Sequence, residues 1–283
     1  MAHLFVEQLT VLDCAYLCAQ RGVVGESWIV DLDLIGGLDE QGMVLDFGAV
    51  KRQLRDAIEA VADHRLLVPA RAAELRLQRQ SKTELAFDFS SQRGLISHRS
   101  PAAAVCFLDA PQVDLATLKA ALLSATRQVL PDNVEDIRMD LRHETIEGAW
   151  YRYTHGLRKH DGLCQRIAHG HRSRLQILVD GVRSPELEAR QAARWADIYL
   201  GNRADLVDSS DQRYHFAYTS AEGEFEISLP AAHCDLLDTE TTVEQIAQHL
   251  QEQLSAQNPR QAIVVRAYEG VAKGAVSATP AKR

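Results

Sequence analysis

Alternating apolar and polar residues predict β-strands in both halves of the chain, and apolar residues at helical spacing predict helices between them. The strands are expected at residues 8–17, 27–36, 134–144, 149–155, 173–180, 213–219, 224–229 and 261–268. The helices are expected at residues 47–61, 113–129 and 242–254, with Asp46 as the N-cap of the first. This order predicts an α+β fold in which antiparallel sheets carry helices on one face.

The two halves of the chain are related in sequence. PAAAVCFLD at 101–109 and PAAHCDLLD at 230–238 match at an offset of 129 residues. Upstream, GESWIVDLDLIG at 25–36 matches GHRSRLQILVDG at 170–181 at an offset of 145, so the second half lacks 16 residues in between. Several matches in the same order favour duplication over chance.

The repeat divides the chain into two units. We expect a first unit at residues 1–150, a second at 151–274 and a disordered tail at 275–283. No linker rich in Pro, Gly or Ser separates the units near residue 150, so we expect them to pack rigidly together.

Composition narrows the class of function. A net charge of −8 gives no reason to expect a nucleic acid or an anionic membrane as partner, although an acidic protein can still bind an anionic small molecule. The five scattered cysteines predict reduced thiols in the cytoplasm rather than a disulfide framework. No signal peptide or membrane-spanning run is expected from the sequence.

A histidine cluster carries the candidate chemistry. His169 and His171 alternate at the start of a predicted strand, so both side chains point to one side of the sheet. His155 on the preceding strand could supply a third imidazole, and Cys164 lies between the two strands. Three imidazoles leave one tetrahedral position of Zn²⁺ open, as in catalytic sites. The alternative is a surface histidine pair without a metal.

These residues belong to motifs that resemble the 6-pyruvoyl-tetrahydropterin synthase / 6-carboxytetrahydropterin synthase family. In the second half the resemblance lies in THGL at 154–157, in Cys164 and in HGH at 169–171. In the first half it lies in GMVLDFGAVKRQL at 42–54 and ADHRLL at 62–67. Further similarity is found in HETIEGAWY at 143–151 and TTVEQIA at 241–247, and a weaker one in AYEGVAKGA at 267–275.

The resemblance implies a fold and an activity. The family has tunnelling folds (T-folds), four-stranded antiparallel sheets with two helices that assemble side by side into barrels, so two tandem T-fold units and a homo-oligomer are expected. Members bind a pterin triphosphate, hold its side-chain hydroxyls on zinc and use a cysteine as general base with an Asp-His pair. For this chain the resemblance implies Zn²⁺ on His155, His169 and His171, with Cys164, Asp63 and His64 as catalytic residues.

Each half lacks a different part of that site. Val24-Gly25-Glu26 stands at the HGH position of the first half, so this half cannot build the zinc site. The 16 residues missing from the second half fall where its Asp-His pair should be. We therefore expect a divided site, with zinc and Cys164 from the second half and Asp63-His64 from the first. Whether the parts meet within one chain or between chains is open at this stage, and Asp63-His64 could instead be a structural helix terminus.

The resemblance also implies a glutamate that anchors the pterin ring. Glu269 is preferred because it lies in the half with the histidines, although Gly270 replaces the usual Thr. Glu144 has the better motif but lies in the half without metal ligands. Glu244 is a further candidate that could equally be an ordinary acid at a helix start.

The expected reaction is a zinc-dependent lyase reaction on 7,8-dihydroneopterin triphosphate. The favoured product is 6-carboxy-5,6,7,8-tetrahydropterin, on the route to 7-deazaguanine (queuosine-type) nucleosides. The alternatives are 6-pyruvoyl-tetrahydropterin synthase activity, a protein that binds a pterin or purine without turnover, and a T-fold scaffold with a structural zinc.

Overall fold

The computed structural model describes residues 2–38, 40, 42–44 and 47–278, and its two halves repeat one order of elements. The first half contains β1 (Ala2–Cys18), β2 (Gly22–Gly36), α1 (Phe47–Ala62), β3 (Leu66–Pro69), β4 (Leu75–Gln80), β5 (Glu84–Ser91), β6 (Gly94–Pro101), β7 (Val105–Leu108), α2 (Leu115–Arg127) and β8 (Val134–Arg142). The second half contains β9 (Trp150–His155), β10 (His169–Val179), β11 (Val182–Arg183), α3 (Pro185–Arg194), β12 (Ile198–Asn202), β13 (Leu206–Ser209), β14 (Arg213–Ser220), β15 (Gly223–Pro230), β16 (Cys234–Leu237), α4 (Val243–Gln257), β17 (Ile263–Tyr268) and β18 (Gly274–Ala278).

Each half builds its own sheet with two helices on one face. The first sheet has the order β7-β3-β1-β2-β8 and the second has the order β16-β12-β9-β10-β17-β18. In the first half, Leu54 and Ile58 of α1 and Leu118 of α2 share one buried cluster with β1, β2 and β8. In the second half, α3 and α4 share a cluster with β9, β10 and β17. The predicted α+β class is confirmed, with helices on one face of each sheet and antiparallel pairing of its long strands, whereas the short strands β3, β7, β12 and β16 join in parallel.

A third sheet joins the halves. It has the order β13-β14-β15-β6-β5-β4, so each half contributes three strands. At its centre β6 and β15 run antiparallel, and His98 lies opposite Ile227, the residue related to it by the repeat offset of 129. A local two-fold axis therefore passes between His98 and Ile227 and relates equivalent residues of the two halves. The equivalent residues Phe87 and Phe216 are both buried in the core of this sheet.

The turns of this sheet show the same symmetry. Gly94 and Gly223 both have positive φ, 126° and 132°, which only glycine adopts readily. A Cβ at Gly94 would lie 2.8 Å from Pro230, and one at Gly223 would lie 3.0 Å from Pro101. Each hairpin therefore packs its glycine against the proline that ends the hairpin of the other half. This reciprocity gives a structural reason for the matched sequence positions.

The sheets of the two halves also touch backbone to backbone. A Cβ at Gly25 would overlap the carbonyl of Tyr153 and lie 2.8 Å from the backbone nitrogen of His171. A Cβ at Gly170, the repeat equivalent of Gly25, would lie 2.6 Å from the Cα of Gly25. Glycine is needed at both positions because no side chain fits between the strands. This crossing brings β1 and β2 next to the histidines of β9 and β10.

The predicted elements need several corrections. β10 begins at His169 rather than at residue 173, so the HGH segment is part of the strand. Periodicity missed α3, a ten-residue helix that stands where α1 stands in the first half. Both α3 and the connection before it are shorter than their first-half counterparts, which accounts for missing residues in this half. Asp46, the predicted N-cap of α1, lies outside the described residues.

The domain limits are partly changed. The predicted disordered tail began at residue 275, but β18 runs through Ala278 because its backbone pairs with β17 and completes the sheet edge. Residues 279–283 lie outside the described part of the chain. The division at residue 150 coincides with the start of β9 and stays a prediction, since the shared third sheet ties both units together. None of the helices in the described residues is long and apolar enough to cross a membrane.

The glycine contact can be tested by substitution. We expect Gly25→Ala to lower the free energy of unfolding by about 3 kcal/mol, the upper end for overpacking, because the new methyl group meets backbone that cannot rotate away. Urea denaturation measures the change. Gly37→Ala is the matched control, because a Cβ there meets no atom within 4 Å. Equal stability of the two variants would contradict the proposed close crossing.

Candidate functional site

Three buried imidazoles converge on one point between β9 and β10. His155 and His169 are direct cross-strand partners, and His171 lies two residues further on the same face. Their side chains are 0%, 0% and 1% exposed. The Nε2 atoms of His155 and His171 are 3.2 Å apart, and all three residues offer ring nitrogens within 4.8 Å of one another. The three rings predicted to form a metal site are therefore brought together.

The outer nitrogens of these rings face oxygen atoms. His155 Nδ1 lies 2.9 Å from the carbonyl of Thr241, and His169 Nδ1 lies 2.9 Å from the carbonyl of Arg166. Because a carbonyl only accepts, each Nδ1 must donate a proton, which leaves the lone pair of Nε2 directed inward. His171 Nδ1 lies 3.2 Å from Oδ1 of Asp13. Metal-binding histidines typically have their second nitrogen fixed in this way.

Burial favours the neutral form of two of the three imidazoles. It lowers the pKa of His155 and of His169 well below the usual range, and the neighbouring imidazoles lower both further. His169 Nε2 is buried without a hydrogen-bond partner among the described residues. A buried lone pair without a partner is costly, and a divalent ion would satisfy it. The donor set therefore fits a metal ion, and this site could hold one.

The Asp-His pair of the first half reaches the same point. His64 follows α1 with a positive φ of 52°, and its Nδ1 lies 2.7 Å from Oδ2 of Asp63. The ring of His64 is 4.9 Å from the ring of His169, measured between centroids. The divided arrangement predicted from the sequence therefore forms within a single chain. The structural interpretation of Asp63-His64 as an isolated helix terminus does not account for this contact.

Cys164 completes the cluster. It lies on a short 3-10 helix, Leu163–Gln165, and its Sγ is within 4.8 Å of the ligand atoms of His64 and His169. Burial opposes the charged form of His64, but hydrogen bonds and negative charge from Asp63 and Cys164 outweigh it and raise the pKa of His64 to about 10. The structure thus places an imidazolium beside the thiol.

The cations that flank Cys164 in the sequence pair with carboxylates. The pairs are Arg158 with Asp205 at 2.6 Å, Lys159 with Glu240 at 3.1 Å and Arg166 with Glu222 at 2.8 Å. All three carboxylates belong to the second half. These pairs fix the loop that carries Cys164, while His64 supplies the positive charge.

The three candidate glutamates lie in different surroundings. Glu269 follows β17, and its Oε2 is 3.5 Å from Nζ of Lys273, which also lies 3.6 Å from Asp13. Glu269 is thus near the carboxylate that contacts His171. Glu144 lies in the first-half counterpart of this region, where its Oε1 is 2.9 Å from Arg174.

Glu244 occupies the first turn of α4 with an exposed side chain. Thr242 caps this helix by accepting from the backbone of Gln245, so Glu244 suits the ordinary helix-start interpretation. Thr241, three residues earlier, is the residue of this segment that contacts His155. A role for Glu244 in substrate binding stays a prediction.

Sequence reasoning missed two charged residues at the site. Asp13 is only 4% exposed and faces His171, Ser27 and Lys273. Burial opposes its ionisation, but these three neighbours outweigh burial and hold its pKa below the usual range. The sequence signal for Asp13 was a single carboxylate inside the apolar run VLDCAYLC. Strand alternation alone does not show which face of the strand this residue occupies. Lys273 is missed because its contact with Asp13 joins residues 260 positions apart in the sequence.

The first-half counterpart carries a carboxylate instead of imidazoles. Glu26 stands at the position of His171, and its carboxylate accepts a hydrogen bond from Nε of Arg152 at 2.9 Å and lies 3.2 Å from His143. The charge of Glu26 is therefore paired with Arg152 of the second half. Within the described residues, the groups able to hold a metal are the histidine triplet and the set of His64, Cys164 and His169.

Comparison with known proteins agrees with these motifs. A family model described as 6-pyruvoyl tetrahydropterin synthase matches residues 18–100, which include Asp63 and His64. The resemblance to this family is confirmed. No curated protein matches the chain.

Two solved structures illustrate the likeness. The Plasmodium falciparum 6-pyruvoyl tetrahydropterin synthase is 15% identical, with a TM-score of 0.40 over 50% of this chain and 90% of that chain. A catalytic-residue mutant of Plasmodium vivax 6-pyruvoyltetrahydropterin synthase is 18% identical, with a TM-score of 0.36 over 50% of this chain and 97% of that chain. Each similarity therefore spans half of this chain.

The triplet predicts metal binding that depends on one ring. We expect His169→Ala to lose stoichiometric binding of divalent metal, because two imidazoles remain where a closed set of three is needed. Metal content after dialysis, measured by mass spectrometry, checks this. His3→Ala, at an exposed histidine of β1, is the matched control and should retain the metal. Retention by His169→Ala would contradict the assignment.

Proposed function

We propose that this chain is a zinc-dependent pterin synthase acting on 7,8-dihydroneopterin triphosphate. The proposed product is 6-carboxy-5,6,7,8-tetrahydropterin, which would place the protein on the route to 7-deazaguanine (queuosine-type) nucleosides. The observation that carries the proposal is the meeting of Asp63-His64 from one half with Cys164 and three imidazoles from the other. The family match over residues 18–100 supports the same reaction class, a lyase.

Zinc is proposed because of the donor set. Three buried imidazoles, two of them with outer nitrogens held by backbone carbonyls, match the ligands of a catalytic zinc that keeps one position open. When bound, zinc would act as a Lewis acid that stabilises negative charge developing on a substrate oxygen.

The side chains around the metal position divide the proton transfers. Cys164 is the proposed general base, which removes a proton from a substrate side-chain carbon. His64, held by Asp63 at 2.7 Å, handles the other proton transfers, including the one to the group that leaves, which is the triphosphate or the lost side-chain carbons. Asp63 keeps the ring oriented, since its second oxygen is fixed by the backbone of Asp13 at 3.0 Å.

The pterin ring is proposed to bind at Glu269. A carboxylate can accept two parallel hydrogen bonds from the 2-amino group and the ring N–H of a pterin. Glu269 is the candidate in contact with the network of Lys273 and Asp13, which leads to His171. Glu144 is already paired with Arg174 and lies in the half without metal ligands, so we propose a structural role for it.

The same proposal includes a cellular location and an oligomeric state. We propose a cytoplasmic protein, in keeping with its five free cysteines, and a homo-oligomer in which sheet edges such as β8 and β18 pair between copies. The proposed catalytic residues Cys164, Asp63 and His64 lie together within one chain.

The reaction is tested by product identification. Zinc-loaded protein incubated with 7,8-dihydroneopterin triphosphate should consume it and yield the mass of 6-carboxytetrahydropterin. The mass of a 6-pyruvoyl product would correct the product and keep the site. Binding without consumption of the substrate would overturn the catalytic proposal in favour of a pterin-binding protein.

The base is tested by Cys164→Ala. We expect this variant to retain its zinc and to lose about 10²–10⁴-fold in kcat, the usual contribution of a positioned general base. Steady-state kinetics together with zinc content separates loss of the base from loss of the metal. Cys18→Ala, at a partly exposed cysteine that hydrogen-bonds Gln20, is the control. A fully active Cys164→Ala protein would remove the base assignment.

A further inference from the structure

We propose that Asp13 is a positioning residue through which the first half orients and retains the metal ion of the second half. This inference rests on the proposed metal site and goes beyond it, because none of the motifs that predict the site includes Asp13.

The carboxylate of Asp13 is aimed at a proposed ligand. Its Oδ1 lies 3.2 Å from Nδ1 of His171 and accepts a hydrogen bond from the hydroxyl of Ser27. Its side chain is 6% exposed, so water competes little for these contacts. A carboxylate behind a metal-binding imidazole fixes the ring and its tautomer and makes the inner nitrogen a better donor. The other two rings receive only neutral oxygen atoms at this position.

The backbone of Asp13 ties the metal position to the catalytic pair. Its N–H donates to Oδ1 of Asp63 at 3.0 Å, and its carbonyl accepts from the N–H of His64 at 2.7 Å. One residue therefore contacts His171 with its side chain and Asp63-His64 with its main chain. Through Asp13 the distance between the metal ligands and the Asp-His pair is set by a single strand, β1.

Gly270 is explained by the same carboxylate. It has a positive φ of 64°, and a Cβ at this position would lie 2.5 Å from Oδ1 of Asp13. The family resemblance led to the expectation of Thr here, but a threonine side chain would displace the carboxylate from His171. The glycine and the aspartate are therefore a matched pair, one from each half.

The repeat shows why the two halves differ. Asp13 pairs with Ser27 across β1–β2, and Arg152 pairs with Arg172 at the equivalent place across β9–β10. Asp13 and Arg152 are therefore equivalent, and each contacts a residue of the other half. Asp13 contacts His171 and Arg152 contacts Glu26, and these two partners are also equivalent in the repeat.

The sign of the charge then decides what each position can hold. The carboxylate of Asp13 adds a negative charge behind the imidazoles and favours a divalent cation, whereas the guanidinium of Arg152 occupies the equivalent place and excludes one. The chain should therefore hold one metal ion, and Asp13 should account for part of its affinity.

The test compares Asp13→Asn with Asp31→Asn in the full-length chain. Asp31 lies on β2 and pairs with Arg142, so this control removes the same charge from the same sheet away from the imidazoles. We expect Asp13→Asn to weaken Zn²⁺ binding about 10–100-fold in chelator competition and to alter the visible absorption of the Co²⁺-substituted protein. Asp31→Asn should match the wild type in both measurements. A purely structural role would lower the thermal stability of the metal-free protein and leave both readouts unchanged.

The outcomes separate this inference from the proposed function. Equal zinc affinity and Co²⁺ spectra in Asp13→Asn and the wild type would overturn the role of Asp13 alone. A wild type that binds zinc tightly without consuming the pterin would overturn only the enzyme proposal, and absence of zinc binding by the wild type would overturn both. If Asp13→Asn does not fold, Ser27→Ala removes the hydroxyl that orients the carboxylate, and its unchanged zinc affinity would overturn the inference instead.

Discussion

The candidate site depends on the backbone contact between the sheets at Gly25 and Gly170. The strands cross there without an intervening side chain, which brings β1 within reach of the histidines on β9 and β10. Any larger residue would separate the sheets and move Asp63-His64 away from Cys164, because both are carried by segments anchored to these strands. This backbone contact therefore sets the distances between the residues of the candidate site.

Duplication followed by divergence explains the unequal halves. The central pairing of β6 with β15 and the reciprocal glycine-proline contacts preserve a local two-fold relation. The positions facing each other across that relation have changed independently. One carries imidazoles and a carboxylate, which suit a cation, and the other carries a glutamate neutralised by Arg152. The two repeats of a tandem chain can carry different residues at equivalent positions because each repeat always packs against the other one.

Electrostatics around Cys164 shows where sequence proximity misleads. Arg158, Lys159 and Arg166 flank the cysteine in the chain, yet each pairs with a carboxylate of the second half, and the ring that reaches the thiol is His64, a hundred residues earlier. Long cationic side chains choose the partners that the folded surface offers. A charge at a neighbouring sequence position therefore says little about the field at a thiol.

The amino-acid sequence alone indicated the fold class, the repeat and the histidine triplet through local periodicity and short motifs, and the resemblance to a known family implied the division of the site. The sequence also indicated that His155, His169 and His171 share one face, since strand alternation is a local rule. Only the tertiary structure decided that the two parts meet within one chain, that Asp13 stands behind His171 and that Gly270 makes room for it. These contacts join residues a hundred or more positions apart, and their distances follow from how the sheets pack, which no local pattern encodes.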